Sequence, residues 1–342
     1  MKLQKFKVLS LDGGGIRGIF PAVILSEIER ELKERNEEQW QIYQRVNLIF
    51  GTSTGGILGL ALSLGIPAEE IKKMYFENAH LIFGGKKKFP KWLWQSSHSR
   101  DNLHNLLNDI FKKYNNNFPP KLRDCKIPVA VSIYDLHIGR PSVLKSSYHP
   151  RFTRDPNLPI LQAALSTSSA PTYFDPYSAD SYQDSLGADI KFTHKVDGGV
   201  WANNPALIAL IEAQKAFQIE LKNINLISIG TGERIFVEED KIKDFGLWYW
   251  LNNKRKRIIE LFMQGQSQQV ENLISLLQRG IDRQEPENFG YIRLNTIFKS
   301  EIENIDMDEV NQDKLKELEQ RALIQFKNNR KKIFELLEID LD

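Results

Sequence analysis

Phe50-Gly51-Thr52-Ser53-Thr54-Gly55-Gly56 lies between two apolar runs, Val46–Phe50 before it and Ile57–Leu64 after it. The pattern reads as buried strand, sharp turn, buried helix, with a serine at the apex and glycines two places to either side, the arrangement of a nucleophile elbow. So tight a turn brings the backbone before the serine close to the backbone after it, where a Cβ at either flank would clash. It lifts the Ser53 hydroxyl out of the chain and points the N-terminus of the following helix at it, an end where the dipole favours developing negative charge.

A second glycine cluster stands where such a serine needs one. Phe6-Lys7-Val8-Leu9-Ser10-Leu11 reads as the first strand and runs into Asp12-Gly13-Gly14-Gly15-Ile16-Arg17-Gly18. Phe20, Ile24 and Ile28 then step by four along an amphipathic helix, with Leu25 and Leu32 on the adjoining face. A serine attacking an ester requires donors for the oxyanion, and a loop without side chains lets backbone N–H groups approach closely. Gly13, Gly14 and Gly15 are the candidates, beside the N–H of Thr54. The same residues also satisfy G-x-G-x-x-G, the dinucleotide-binding pattern, but that fingerprint wants an acidic residue at the end of the next strand. Here the next strand ends in Gly51-Thr52-Ser53. Dinucleotide binding therefore stands as the alternative reading.

The third motif is Val196-Asp197-Gly198-Gly199-Val200-Trp201. An aspartate at a strand end followed by two glycines can point into a cleft, and in a poorly hydrated cleft its basicity rises. Asp197 is the candidate general base for Ser53.

Asp12–Gly18, Gly51–Gly55 and Asp197–Gly199, in that order, resemble the patatin-like phospholipase family. The resemblance continues through Leu48-Ile49-Phe50, Ile133-Tyr134-Asp135, Gly139-Arg140-Pro141 and Ser166-Thr167-Ser168-Ser169-Ala170-Pro171-Thr172-Tyr173-Phe174, and ends near Ile227–Gly232. It implies a three-layer α/β/α fold on a mostly parallel sheet and a lipid acyl hydrolase working by a Ser–Asp dyad through an acyl-enzyme. Ser53 would be the nucleophile, Asp197 the base, and Gly13–Gly15 the oxyanion hole. Arg17 matches the family's basic loop residue, orienting the loop or meeting an anionic head group. The pattern also resembles patatin-like effectors of bacterial anti-phage systems that cyclic nucleotides switch on, which implies a cyclic-nucleotide activator, although no motif reads as a nucleotide pocket.

A Ser–acid–His triad is the rival arrangement. Only His137, His149 and His194 follow Ser53 with room for an acid between, and none lies in a recognisable catalytic turn.

Composition narrows the classes further. A formal net charge of +2 gives no case for a nucleic-acid polymer as partner. The single cysteine, Cys125, precludes an internal disulfide and fits a reducing compartment. The chain enters a strand within a few residues of Met1, so no secretory signal is expected, and Gly55–Ile66, the most apolar stretch, is too short for a bilayer. The expectation is a cytoplasmic protein that touches the membrane surface when active. No Cys/His cluster has metal spacing, and neither metal nor other cofactor is expected.

Alternating strand and helix signals argue for a sheet covered on both faces. Leu103, Leu106, Leu107, Ile110 and Phe111 mark a helix; Ile127–Ile133 and Ile224–Ile229 read as strands. We divide the chain into a catalytic portion, residues 5–232, and a charge-rich, mainly helical region, 233–342, packed on it, with one strand candidate at Phe289–Leu294 and a late helix through Leu318, Ala322 and Phe326. A homo-oligomer interface or a regulatory surface are the other roles open to that region. Two Trp-rich, Lys-flanked clusters, Phe89–Trp94 and Leu247–Leu251, suit a water–lipid boundary. The first is read as a lid or membrane contact. A catalytically silent membrane-binding module remains a third class of function.

Overall fold

The computed structural model describes residues 4–83, 99–234, 250, 257–279, 287–300 and 302–341. The basic, Trp-containing stretch at 86–94 and most of the cluster at 247–251 lie outside these residues.

Among the described residues the strands are β1 (Phe6–Leu11), β2 (Leu48–Thr52), β3 (Val129–Asp135), β4 (Arg140–Lys145), β5 (Tyr182–Gln183), β6 (Asp189–Ile190), β7 (Lys195–Asp197), β8 (Ile224–Ile229), β9 (Glu233–Arg234), β10 (Gly290–Leu294) and β11 (Ile297–Phe298). The helices are α1 (Ile19–Glu34), α2 (Thr54–Ser63), α3 (Ala68–Phe83), α4 (Asp101–Lys113), α5 (Ile160–Thr167), α6 (Gly199–Ala202), α7 (Ala206–Ala216), α8 (Arg257–Arg279) and α9 (Gln312–Leu336). The main sheet runs β10-β8-β1-β2-β3-β4, with β7 also on β3. Its pairs are parallel from β10 through β3, while β4 and β7 run antiparallel to β3.

Strand residues alternate between two cores, as the period of two requires. Leu9, Ile49, Val131, Ile227 and Ile292 face one layer, built with α1, α2, α3, α5 and α9. Val8, Leu48, Phe50, Ala130, Leu226 and Tyr291 face the other, built with α7 and Ile274 of α8. The three-layer α/β/α architecture follows directly from this two-sided burial.

The region beyond 232 does more than add helices. β10 is the edge strand of the main sheet, pairing Gly290–Leu294 with Asn225–Ile229. α9 packs on α1, where Arg330 pairs with Glu31, and the Asn225 amide caps the end of α9 through the Leu336 carbonyl at 2.7 Å. The parallel strands β1, β2 and β8 all end on one side, and the glycine motifs leave from that side, where ligands of open α/β sheets bind.

Candidate active site

Ser53 stands between β2 and α2 with φ 54° and ψ −122°, a backbone conformation that disfavours a side chain. The flanking glycines are there for the steric reason expected. A Cβ on Gly51 would lie 2.2 Å from the Gly55 carbonyl oxygen. One on Gly55 would lie 2.3 Å from the Leu11 carbonyl oxygen, so this second glycine also lets the elbow sit against the end of β1.

The register of β3 brings Asp197 to Ser53. Ser132 pairs with Thr52, the last residue of β2. The next residue, Ile133, pairs with Asp197, the last residue of β7. The two strands thus meet end to end along one edge of β3, and the Ser53 hydroxyl comes close enough to the Asp197 carboxylate to favour its charged form. The Gly199 N–H also donates to Asp197 Oδ1 at 2.7 Å. Asp197 is 3 % exposed and, among the described residues, has no cationic neighbour in hydrogen-bond contact. Burial pushes its carboxyl up to about 7, partly offset by the Ser53 hydroxyl and the Gly199 N–H.

The glycine loop passes beside this pair, and most of its polar groups are engaged. The Gly13 N–H donates to the Asn203 carbonyl at 3.0 Å, while the Gly13 carbonyl accepts from Thr231 Oγ1 at 2.7 Å. The Ile16 N–H donates to the Met307 carbonyl at 2.9 Å, and the Arg17 N–H to the Gly14 carbonyl at 3.2 Å. This corrects the expectation for Gly13: its N–H is committed to Asn203 and is no free donor. Among the described residues, no such bond engages the N–H groups of Gly14 and Gly15. Thr54, at the first turn of α2, presents another N–H left over by helix geometry.

The Cα faces of the loop glycines are packed against protein. A Cβ on Gly14 would meet Thr231 at 2.2 Å, on Gly15 the Met307 carbonyl at 2.2 Å, and on Gly18 Thr54 Oγ1 at 2.1 Å. These glycines are small so that protein can pack on them, a role that requires no dinucleotide.

Ser53, Thr54, Asp197, Gly14 and Gly15 form the polar end of a cavity of about 330 Å³. Its remaining walls are mainly apolar: Ile57, Ile82, Phe83, Leu103, Tyr173, Phe174, Ile259, Met263 and Met307, among others. Gly13 and Arg17 are not part of this lining. Arg17 is buried on the far side of the loop, in a small polar space with Asp12, Glu233 and Glu260. Burial holds its guanidinium below the usual range, against the pull of Glu260, Tyr173, Asp306 and Glu233. Of its two expected roles, this position fits loop orientation and not head-group contact.

No histidine among the described residues lines the cavity. His80, His104, His137 and His194 are exposed and His149 is half-buried, so the triad arrangement has no support. Among the described residues there is also no group of three or more His, Cys, Asp or Glu that could hold a metal ion.

Several positioning residues went unassigned in the sequence. Thr167 lies in a motif quoted above and Asn203 two residues beyond another, but their partners are far along the chain. Arg293 carried a signal, being a charged residue inside the apolar strand Tyr291-Ile292-Arg293-Leu294, where burial demands a counter-charge.

A family model described as patatin-like phospholipase matches residues 9–210. The chain belongs to the patatin-like phospholipase family. Among the relatives is a cGAMP-activated phospholipase of Escherichia coli (strain TW11681), 33% identical over 245 residues, covering 66% of this chain. That match spans 62% of the relative's own length, under two thirds. A cGAMP-activated phospholipase of Vibrio cholerae serotype O1 is 31% identical over 265 residues, covering 72% of this chain and 71% of the relative. Patatin-like protein 2 of Arabidopsis thaliana is 31% identical over 321 residues, covering 84% and 74% respectively.

Proposed function

We propose that this chain is a serine carboxylic-ester hydrolase, a phospholipase A-type enzyme that cleaves acyl esters of membrane glycerophospholipids through a Ser53–Asp197 dyad. The observation that carries the reading is the meeting of Ser53 with a buried Asp197, whose carboxyl is pushed up to about 7, in the lining of a largely apolar cavity.

In this reading the acyl chain lies along the apolar walls with its ester carbonyl at Ser53. Asp197 takes the hydroxyl proton as Ser53 Oγ bonds the carbonyl carbon. The N–H groups of Gly14, Gly15 and Thr54 hold the resulting oxyanion. Collapse of the tetrahedral intermediate expels the lysophospholipid alkoxide, which receives the proton from Asp197. Water then attacks the acyl-enzyme, Asp197 takes its proton, and the fatty acid leaves as Ser53 recovers its own. A dyad suffices because an aspartate titrating near neutral pH does the work usually given to imidazole.

Two features support a lipid surface as the source of substrate. Phe262 and Val200 line the cavity yet are 63% and 41% exposed, placing apolar side chains at its rim. Among the described residues no helix is long and apolar enough to cross a membrane, so contact in this reading is peripheral. Activation by a cyclic nucleotide is part of the proposal, because two relatives carry that property in their names. A ligand can activate only by binding the active state more tightly than the resting one.

The test is release of fatty acid from phospholipid vesicles by wild type and Ser53→Ala, with and without a panel of cyclic nucleotides including cGAMP. Turnover by wild type alone supports the hydrolase. Vesicle binding unchanged in Ser53→Ala with no turnover by either protein would instead indicate a silent membrane module. Full activity without any nucleotide would remove the gating and leave the hydrolase.

A further inference from the structure

Asp12 directly follows β1 and begins the glycine loop. Its carboxylate is held from the far end of the chain: Arg293 Nη1 donates to Oδ1 at 2.9 Å and Nη2 to Oδ2 at 2.6 Å. Both side chains are buried, 6% and 3% exposed. The register explains the reach. Arg293 pairs with Ser228 and Ser228 with Ser10, so Arg293 lies two strands from β1, level with Ser10 and two residues short of Asp12. Its guanidinium crosses over β8, where Nη1 also donates to Ser228 Oγ at 2.8 Å.

We propose that Arg293 is a positioning residue for ester hydrolysis, fixing Asp12 by two-point contact so that the N–H groups of Gly14 and Gly15 point at the carbonyl oxygen on Ser53. The proposal rests on the reading of those N–H groups as oxyanion donors.

Three observations carry it. A bidentate guanidinium–carboxylate pair fixes orientation as well as distance, which a single contact does not. The loop has little other slack. Gly13 is held at both its N–H and its carbonyl, and Ile16 is held by Met307, so the direction of the two free N–H groups follows from how the loop's ends are anchored. Finally, a buried ion pair adds little net stability over an apolar pair of similar volume, so stability alone does not account for one at the strand end next to Ser53. Arg293 and Met307 both lie beyond the 9–210 matched by the family model. The late part of the chain therefore supplies the brace of the site.

The test uses the full-length protein and a soluble acyl ester, assayed with and without the cyclic-nucleotide panel and normalised to the Ser53 that a fluorophosphonate titrates. Arg293→Gln is expected to lower kcat by at least about tenfold with KM within about twofold, as for an interaction made only in the transition state. Arg293→Lys, which keeps the charge and loses the two-point contact, is expected to fall between Arg293→Gln and wild type. Asp12→Asn/Arg293→Gln is expected to be no worse than the poorer single variant, since the two act as one unit. A kcat for folded Arg293→Gln within about twofold of wild type overturns the proposal, as does a loss confined to KM or to the fraction of titratable Ser53. Should Arg293→Gln not fold, the isosteric Asp12→Asn is read the same way; failure of both to fold makes the pair a stability element and overturns it too. Ser53→Ala separates the two levels. If that variant stays active, or wild type never turns over, the hydrolase reading itself is wrong. If Ser53→Ala is dead and Arg293→Gln is unaffected, only the role of Arg293 is lost.

Discussion

The Thr167 hydroxyl joins Ser53 to β3: it accepts the Ser53 N–H at 2.9 Å and donates to the Ser132 carbonyl at 2.8 Å. Both groups are buried, so removing the hydroxyl orphans a donor and an acceptor together. Thr167→Val is expected to cost about 2–4 kcal/mol of stability and to lower turnover, because the elbow loses its lateral support. Thr167→Ser keeps both bonds and should stay within about 1 kcal/mol of wild type. Denaturant unfolding of the two variants checks this; equal stability would mean that the hydroxyl is not needed.

Ser53 itself sits in a conformation that glycine adopts at no steric cost. Ser53→Ala and Ser53→Gly should both lose hydrolysis and fluorophosphonate labelling while remaining folded. Ser53→Gly should be the more stable of the two by about 1 kcal/mol, since it relieves strain that alanine retains. The comparison of melting temperatures tests whether the strain at the elbow is held for function.

Asp197 links activity and stability to pH with opposite signs. As a base it works only when ionised, so turnover should rise as pH increases through about 7. Its folded pKa lies above its unfolded value, so the folded state binds the extra proton between the two. Its contribution to stability therefore declines as pH rises from about 4 to about 7. Asp197→Asn still accepts the Gly199 N–H and carries no buried charge. It should lose most of kcat with little change in KM, yet be more stable than wild type at pH 8 by a few kcal/mol (on the order of 1.4 kcal/mol per pKa unit). At pH 4 that advantage should vanish. Thermal melts across pH read it directly.

The glycines divide by what a methyl group would meet. Gly51→Ala and Gly55→Ala each push Cβ to within 2.2 and 2.3 Å of backbone oxygens and should not yield folded protein. Gly265, within α8, has open space around it and no positive φ. Gly265→Ala should stabilise the chain by about 0.5–1 kcal/mol through helix propensity.

The rim of the cavity separates interfacial from intrinsic activity. Phe262→Glu puts a charge where Phe262 is 63% exposed beside the cavity. Action on phospholipid vesicles should fall severalfold, while kcat on a short soluble ester changes by less than about twofold. Flotation of the protein with vesicles gives the independent measure. Equal loss on both substrates would place the residue in catalysis and not in surface contact.

Much of this was legible in one dimension because the signals are local. β1 and β8 fall at the boundaries that their apolar runs predict, and α1 and α4 follow from steps of three and four. The elbow was legible too, since strand, glycines, serine and helix lie within twenty residues. The loop-bound donors were less so. That Gly13 cannot donate depends on the Asn203 carbonyl, and nothing near residue 13 announces it.

By itself the sequence determined the three-layer α/β/α class, the family, and the serine, aspartate and glycine loop as the residues to watch. Alternation of apolar residues and the backbone demands of glycine are properties of neighbours in the chain. Only the tertiary structure decided which strand ends meet, which loop N–H groups are left free, and what holds them. Thr52 and Asp197 come together through consecutive residues of β3, and Asp12 is held by Arg293 from an edge strand added near the chain's end. The reason is physical: strand order and register place residues side by side whatever their separation in sequence, and a buried hydrogen-bonding group or charge takes its partner from whichever segment packing brings there.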